Sequence, residues 1–197
     1  SSGGGGIYAG TSSNLSLFNS TVTGNQADAD GGSTTSGGGI EENGGNIFLT
    51  NSVVAENTSG TTQTPDDVDG TINSATNSFL GTSETITTNN SSTNGGGDPG
   101  LAALADNGGT TQTLNIEIGS PLVNAGSNAG VPGGITTDAN GNARIQDSTV
   151  DIGATEAIPE VPSLVVTIAA DAVNLFDNET SLREAIAFAN SQAGADT

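Results

Sequence analysis

The chain has 197 residues yet contains no cysteine, methionine, tryptophan, histidine or lysine, and aromatic side chains make up only 3% of it. Without cysteine there is no disulfide framework, so cysteine usage gives no information on the redox compartment. Without lysine the only cations are Arg144 and Arg183, set against 22 acidic residues for a formal net charge of -20. A chain so charged has no means of gripping phosphate backbones or an anionic lipid surface, which argues against nucleic-acid and membrane-surface partners. It suits solubility, cation binding and mutual repulsion between surfaces. No apolar run approaches the length of a membrane span, so membrane insertion is not expected. No secretory leader is visible, and the first residue is Ser1. The expectation is therefore a processed chain or a part of a longer polypeptide.

What is present is mostly Ser, Thr, Asn and 30 glycines, with 32% apolar residues gathered in short β-branched runs. Such runs, punctuated by Gly and Asn, predict many short strands with frequent turns. Two segments can be superposed: GGGIYAGTSSNLSLFNSTVTGN from residue 4 and GGGIEENGGNIFLTNSVVAEN from residue 37. Ile7 matches Ile40 at one spacing. From Asn14 and Asn46 onward the spacing is one residue shorter, which places a one-residue deletion near Gly44. Leu15 and Leu17, like Ile47 and Leu49, set alternate apolar side chains on one strand face. Asn19 and Asn51 then occupy a bend where asparagine tolerates left-handed dihedrals. Asn25 and Asn57 match further on, so stacked amides are expected as ladders of Asn19 on Asn51 and Asn25 on Asn57. A third, diverged repeat runs from Asp67 to Ile72 and from Asn77 to Gly81. Repeats at this period predict an all-β right-handed parallel β-helix, a solenoid of stacked coils. The rival is a β-sandwich with two chance-similar hairpins, but apolar and turn residues that stay in register favour the solenoid.

Further along, Gly97 opens GDPGLAALADNGGTTQTLNIEIGSPLVNAGS, and TDANGNARIQDSTVDIGATE follows, ending at Glu156. Asp98-Pro99, the run Leu104 to Gly109, Gly119-Ser120-Pro121, Asn124-Ala125-Gly126, Thr137-Asp138, Gly141, Arg144 and Asp151 to Glu156 recur there in order. This stretch resembles the choice-of-anchor Q segment that closes bacterial surface β-helix proteins. Thr180-Ser181-Leu182-Arg183-Glu184-Ala185-Ile186 resembles the CSLREA motif that opens such a helix, with Thr180 in place of the usual cysteine. The resemblance implies large secreted or surface-displayed, repetitive proteins with no established enzymatic activity. Closing segment before opening motif implies one unit of a tandem array, cut out of phase.

The expected organisation is 1–156 for coils and closing segment, 157–163 for a Pro-containing linker, and 164–197 for a short strand and a capping helix. Ser181 and Glu184 have capping-box spacing, Gly194 fits a C-terminal cap, and Leu182, Ala185, Ile186 and Ala189 form one apolar face over 181–193. An open solenoid end exposes strand edges and core, and needs covering. The cap residues are therefore Leu164, Val166 and Ile168 of the strand, with Leu182, Arg183, Ile186 and Ala189 of the helix. The first coil that receives them is Gly3 to Val22, with Ile7, Leu15 and Leu17. Arg183 beside Glu184, and Arg144 near Asp147 or Asp151, are expected to satisfy buried carboxylates or carbonyls.

Catalytic residues are not identified. A lyase acting on acidic sugars would need basic residues that this chain lacks, and a glycoside hydrolase would need converging carboxylates. No cofactor is required, although calcium suits the oxygen ligands of Asp66, Asp67 and Asp69, and of Asp138, Asn140 and Asn142. Asp28 and Asp30 offer a third such turn, and solvated turn acids explain each cluster as well. The functional reading is a structural unit of a bacterial extracellular filament, fibre or sheath that assembles with itself head to tail. The alternatives are a stalk or glycan-binding segment of an adhesin, for which Tyr8, Phe18, Phe48, Phe79, Phe176 and Phe188 are the whole aromatic inventory, and a polysaccharide lyase or hydrolase.

Overall fold

Short alternating runs can bury one face only by pairing with similar runs elsewhere in the chain. The computed structural model describes residues 4–31, 37–82, 84–117, 119–146, 148–159, 161–169, 171 and 180–192. The chain divides into two compact units, Ser1–Glu156 and Ala157–Thr197.

In the first unit the chain passes repeatedly through the same sheets. The first circuit supplies β1 (Ile7–Gly10), β2 (Asn14–Phe18), β3 (Thr21–Thr23) and β4 (Gln26–Ala27). The second supplies β5 (Ile40–Asn43), β6 (Asn46–Thr50), β7 (Val53–Ala55) and β8 (Thr58–Ser59). After β9 (Thr64–Pro65), the third gives β10 (Val68–Asp69), β11 (Thr71–Thr76) and β12 (Phe79–Leu80), and a short fourth gives β13 (Thr85–Asn90) and β14 (Thr93–Asn94). The sheets have strand orders β1-β5-β10, β13-β11-β6-β2, β14-β12-β7-β3 and β4-β8-β9. Every pairing is parallel except β8 with β9. Most of the described regular structure is thus strand in parallel sheets, consistent with an all-β chain.

The registers follow the sequence repeat. Leu15 faces Ile47, Leu17 faces Leu49 and Val22 faces Val54, while Ile7 faces Ile40 one residue out of step. The missing residue falls between β5 and β6, where Gly44 takes a φ of 80° and replaces the longer bend at Ser12, whose φ is 66°. A chain of serine contacts shows the circuits shortening. Ser20 N donates to Ser52 Oγ, Ser52 N to Ser78 Oγ and Ser78 N to Ser92 Oγ, across separations of 32, 26 and 14 residues.

Inward-facing Ile40, Ile47, Leu49, Val54, Val68, Ile72 and Leu80 form the central core. The described part of residues 98–156 adds no circuit. It holds isolated antiparallel bridges and the 3-10 turn Asn128–Gly130. It lies on the outer face of the β3-β7-β12-β14 sheet, where Val53, Ala55 and Phe79 pack against Leu122 and Ile152. The central strands of that sheet, β7 and β12, are therefore apolar on both faces, as parallel strands covered twice must be.

The second unit contains α1 (Leu182–Ser191). Ser181 Oγ accepts from Glu184 N while the Glu184 carboxylate accepts from Ser181 N, the capping box expected from the sequence. The helix is capped at Gln192, and Gly194 lies outside the described residues. The expected strand Leu164–Ile168 requires correction. Residues 164 and 165 form a bend, and no ladder flanks the segment among the described residues. A strand needs a neighbour for its main-chain groups, whereas here Thr167 N and Ile168 N both turn to Thr180 O.

Candidate assembly surfaces

The two ends of the stacked circuits differ chemically. In the first circuit Ile7, Leu15, Leu17 and Val22 are only half-buried, whereas their partners Ile40, Ile47 and Val54 are 0% exposed and Leu49 is 1% exposed. The reason is positional. Each inner circuit has a neighbour above and below, while β1, β2 and β3 are paired on one edge alone among the described residues.

The side-chain ladders end at the same face. Asn73 Nδ2 donates to Asn46 Oδ1 at 3.1 Å, and Asn46 Nδ2 to Asn14 Oδ1 at 2.8 Å. Asn51 Nδ2 donates to Asn19 Oδ1 at 3.2 Å, and both residues have the expected positive φ, 49° and 45°. Asn25 N and Nδ2 both donate to Asn57 Oδ1, and Asn57 N and Nδ2 pass the pattern on to Asp67 Oδ1. Among the described residues nothing donates to Ser20 Oγ or Asn25 Oδ1, although the matching atoms of Ser52 and Asn57 each receive a bond from the preceding circuit. The opposite end is stitched to itself. Ser92 N donates to Asn89 Oδ1, and Glu84 exchanges main-chain bonds with the Asn94 amide. The serine ladder was not anticipated, although the dipeptide Asn-Ser at 19–20, 51–52 and 77–78 carries its signature.

In the second unit, Leu182 and Ile186 are 62% and 52% exposed, Ala185 is buried and Ala189 is half-buried. The predicted apolar stripe is thus divided between an inner and an outer face. Leu182, Arg183 and Ile186 border a surface hollow of about 470 Å³ together with Ala169 and Asp171. Leu164, Val165 and Val166 are exposed, and Ile168 is half-buried. Arg183 corrects one expectation. Its Nε and Nη2 grip Asp171 at 2.8 and 2.7 Å on the open surface rather than a buried carboxylate. The guanidinium holds the Asp171 carboxyl below its ordinary range.

Arg144 is buried as expected. It donates to the carbonyls of Asp151, Gly153 and Ala154 and lies 2.8 Å from Glu156. Asp147 lies outside the described residues. Burial pushes the Glu156 carboxyl up to about 7; Arg144 pulls it back and Asp151 pushes it further up.

The two acidic turns hold main-chain groups in place. Asp138 Oδ1 accepts from Asn140 N and Asn142 N, and its Oδ2 accepts from Glu156 N. Asn140 Oδ1 accepts from Thr113 Oγ1. Asp67 Oδ2 accepts from Thr82 N and Oγ1, and Thr82 Oγ1 also contacts Glu84. Asp69 stands apart in β10, beside Glu41 of β5. Burial pushes the Asp66 carboxyl upward, with Asp69 and Asp67 adding to it against a Ser59 hydrogen bond. No group of three or more acidic side chains suited to a metal ion occurs among the described residues, and no described helix is long and apolar enough to cross a membrane.

No family model, curated protein or solved structure matches the chain.

Proposed function

We propose that the chain is a structural unit of a bacterial extracellular filament, fibre or sheath, built as a right-handed parallel β-helix and assembling with itself head to tail. The C-terminal segment of one copy, with its exposed Leu164, Val166, Leu182 and Ile186, covers the first circuit of the next. The family assignment to choice-of-anchor Q and CSLREA-motif surface proteins belongs to this proposal, as does the location outside the cell. The reading assigns no catalytic role.

The observation that carries it is the unfinished first circuit, where four inward aliphatic side chains are half-buried and two ladder acceptors receive no bond from the described residues. Completing that burial would stabilise the joint by roughly 1 kcal/mol per side chain. Charge favours the same pairing. In a chain of net charge -20, residues 4–27 carry no charged side chain at all, so the first circuit offers a capping segment no like-charge repulsion. A contact between two different surfaces that does not close on itself yields filaments rather than rings.

The test compares the full chain with a chain ending at Pro162, by sedimentation velocity and electron microscopy at matched concentration. Polymers from the full chain and single particles from the shortened one are expected. Indistinguishable fibres from the shortened chain would overturn the head-to-tail contact.

A further inference from the structure

We infer that Glu41 and Asp69 together hold a hard cation, calcium, on the outer face of the β1-β5-β10 sheet beside Tyr8. The registers place Tyr8, Glu41 and Asp69 in one row across the three strands, next to the core row Ile7, Ile40 and Val68. Successive side chains of a strand point to opposite faces, so the row containing the two carboxylates lies on the outside.

Glu41 is only 5% exposed, and its Oε2 has no hydrogen-bond partner. No other carboxylate oxygen among the described residues is both buried and unpartnered. Its neighbour in the row is a second carboxylate, one strand away at about 4.8 Å. Like charges placed directly opposite across a strand pair destabilise the sheet. Burial first, and Asp69 second, hold the Glu41 carboxyl above its ordinary value.

Three resolutions are open to such a pair: a protein cation, a proton or a metal ion. The chain has no lysine, Arg144 is engaged with Glu156, and Arg183 with Asp171. A proton shared between the two carboxyls would quiet the repulsion, yet Glu41 Oε2 makes no hydrogen bond, to Asp69 or to any other described group. A hard cation satisfies both carboxylates at once, with water completing its shell. The nearby Glu42 carboxylate does not compete, since its oxygens accept from Gly44 N and Thr71 N. With two protein carboxylates the site belongs among weak extracellular calcium sites, with dissociation constants on the order of 0.1–1 mM. The inference does not rest on the assembly reading.

Tyr8 makes the test specific. It is the single tyrosine of a chain without tryptophan, so terbium emission sensitised through tyrosine reports an ion close to this row. Terbium titrated into the full chain should give saturable sensitised emission that calcium displaces. Glu41→Gln or Asp69→Asn should reduce that emission at least tenfold, and Asp138→Asn should leave it unchanged. Glu41→Gln keeps the shape of the side chain, and its circular dichroism in chelator should match wild type. Calcium should raise the melting temperature of wild type but not of Glu41→Gln, a second readout that stands if the emission is weak. Absence of both the sensitised emission and the calcium shift would overturn the site, as would emission of equal strength in Glu41→Gln.

Discussion

Replacing Asn51 tests how the stacked strands hold residues 98–156 against their outer face. Asn51 is fully buried with a φ of 49°. Its Nδ2 donates to Ser127 O at 2.9 Å and to Asn19 Oδ1, and its Oδ1 accepts from Ser127 N at 2.8 Å. Its own main chain donates to Thr76 O and accepts from Gly153 N. Asn51→Ala removes three side-chain bonds and leaves both main-chain groups of Ser127 without these partners. At roughly 1 kcal/mol for each bond, plus about 1 kcal/mol for an alanine in the left-handed region, the loss is about 4 kcal/mol. That is a large share of a typical domain stability of about 5–15 kcal/mol. Asn51→Gly loses the same bonds but keeps the backbone freedom, so it should be less damaging than alanine by about 1 kcal/mol. Urea unfolding followed by far-ultraviolet circular dichroism measures both, since the chain has no tryptophan. Alanine within about 0.5 kcal/mol of wild type, roughly the size of an ordinary surface substitution, or glycine costlier than alanine, would rule out this role for Asn51.

Gly153 has a φ of 117°, and a Cβ there would sit 3.0 Å from Thr21 Oγ1 and 3.3 Å from Val53 Cγ2. Gly153→Ala should therefore cost about 2 kcal/mol or more in the same unfolding assay. Phe79 is 1% exposed and fills the space between the outer sheet face and Leu122, so Phe79→Ala should cost about 3–5 kcal/mol. Ser52→Ala deletes the acceptor for Ser20 N and should cost about 1 kcal/mol, whereas Ser20→Ala, whose Oγ receives no bond, should cost measurably less in the isolated chain. Glu156 carries its carboxyl at about 7 against an ordinary 4.5, so the folded state binds that proton more tightly than the unfolded chain does. Its contribution is complete below about pH 4.5 and is lost as the pH rises through 7, with a ceiling of about 3 kcal/mol. Asp66 and Glu84 are displaced in the same direction. Melting temperature should fall from pH 5 to pH 8, and a rise over that interval would contradict this assignment.

The repeat was legible because each inward position needs an apolar residue and each bend needs a residue that accepts a positive φ. Leu15 on Ile47, Asn19 on Asn51 and Asn25 on Asn57 are the paired rows that the sequence offset identified. The fourth circuit escaped notice because β13 contains a single apolar residue, Ile86, and closes after only 14 residues. The course of residues 98–156 was illegible for another reason. Leu101, Ile116, Leu122 and Ile152 pack onto one sheet face from irregular positions, and without a period the sequence carries no register. Glu41 drew no notice in the sequence, since its burial becomes apparent only when β1 and β10 flank it. Arg183 was matched to its helical neighbour Glu184, whereas its carboxylate partner lies 12 residues upstream. The capping box was local in sequence, and it formed where it was expected.

In the proposed filament, units join end to end through a first circuit that is half-buried in the single chain. Electron microscopy of the full chain at high concentration, with diffraction from aligned material, tests that joining most directly. Filaments whose strands stack at about 4.8 Å along the axis are expected. Discrete single particles at every concentration tried would contradict the proposal.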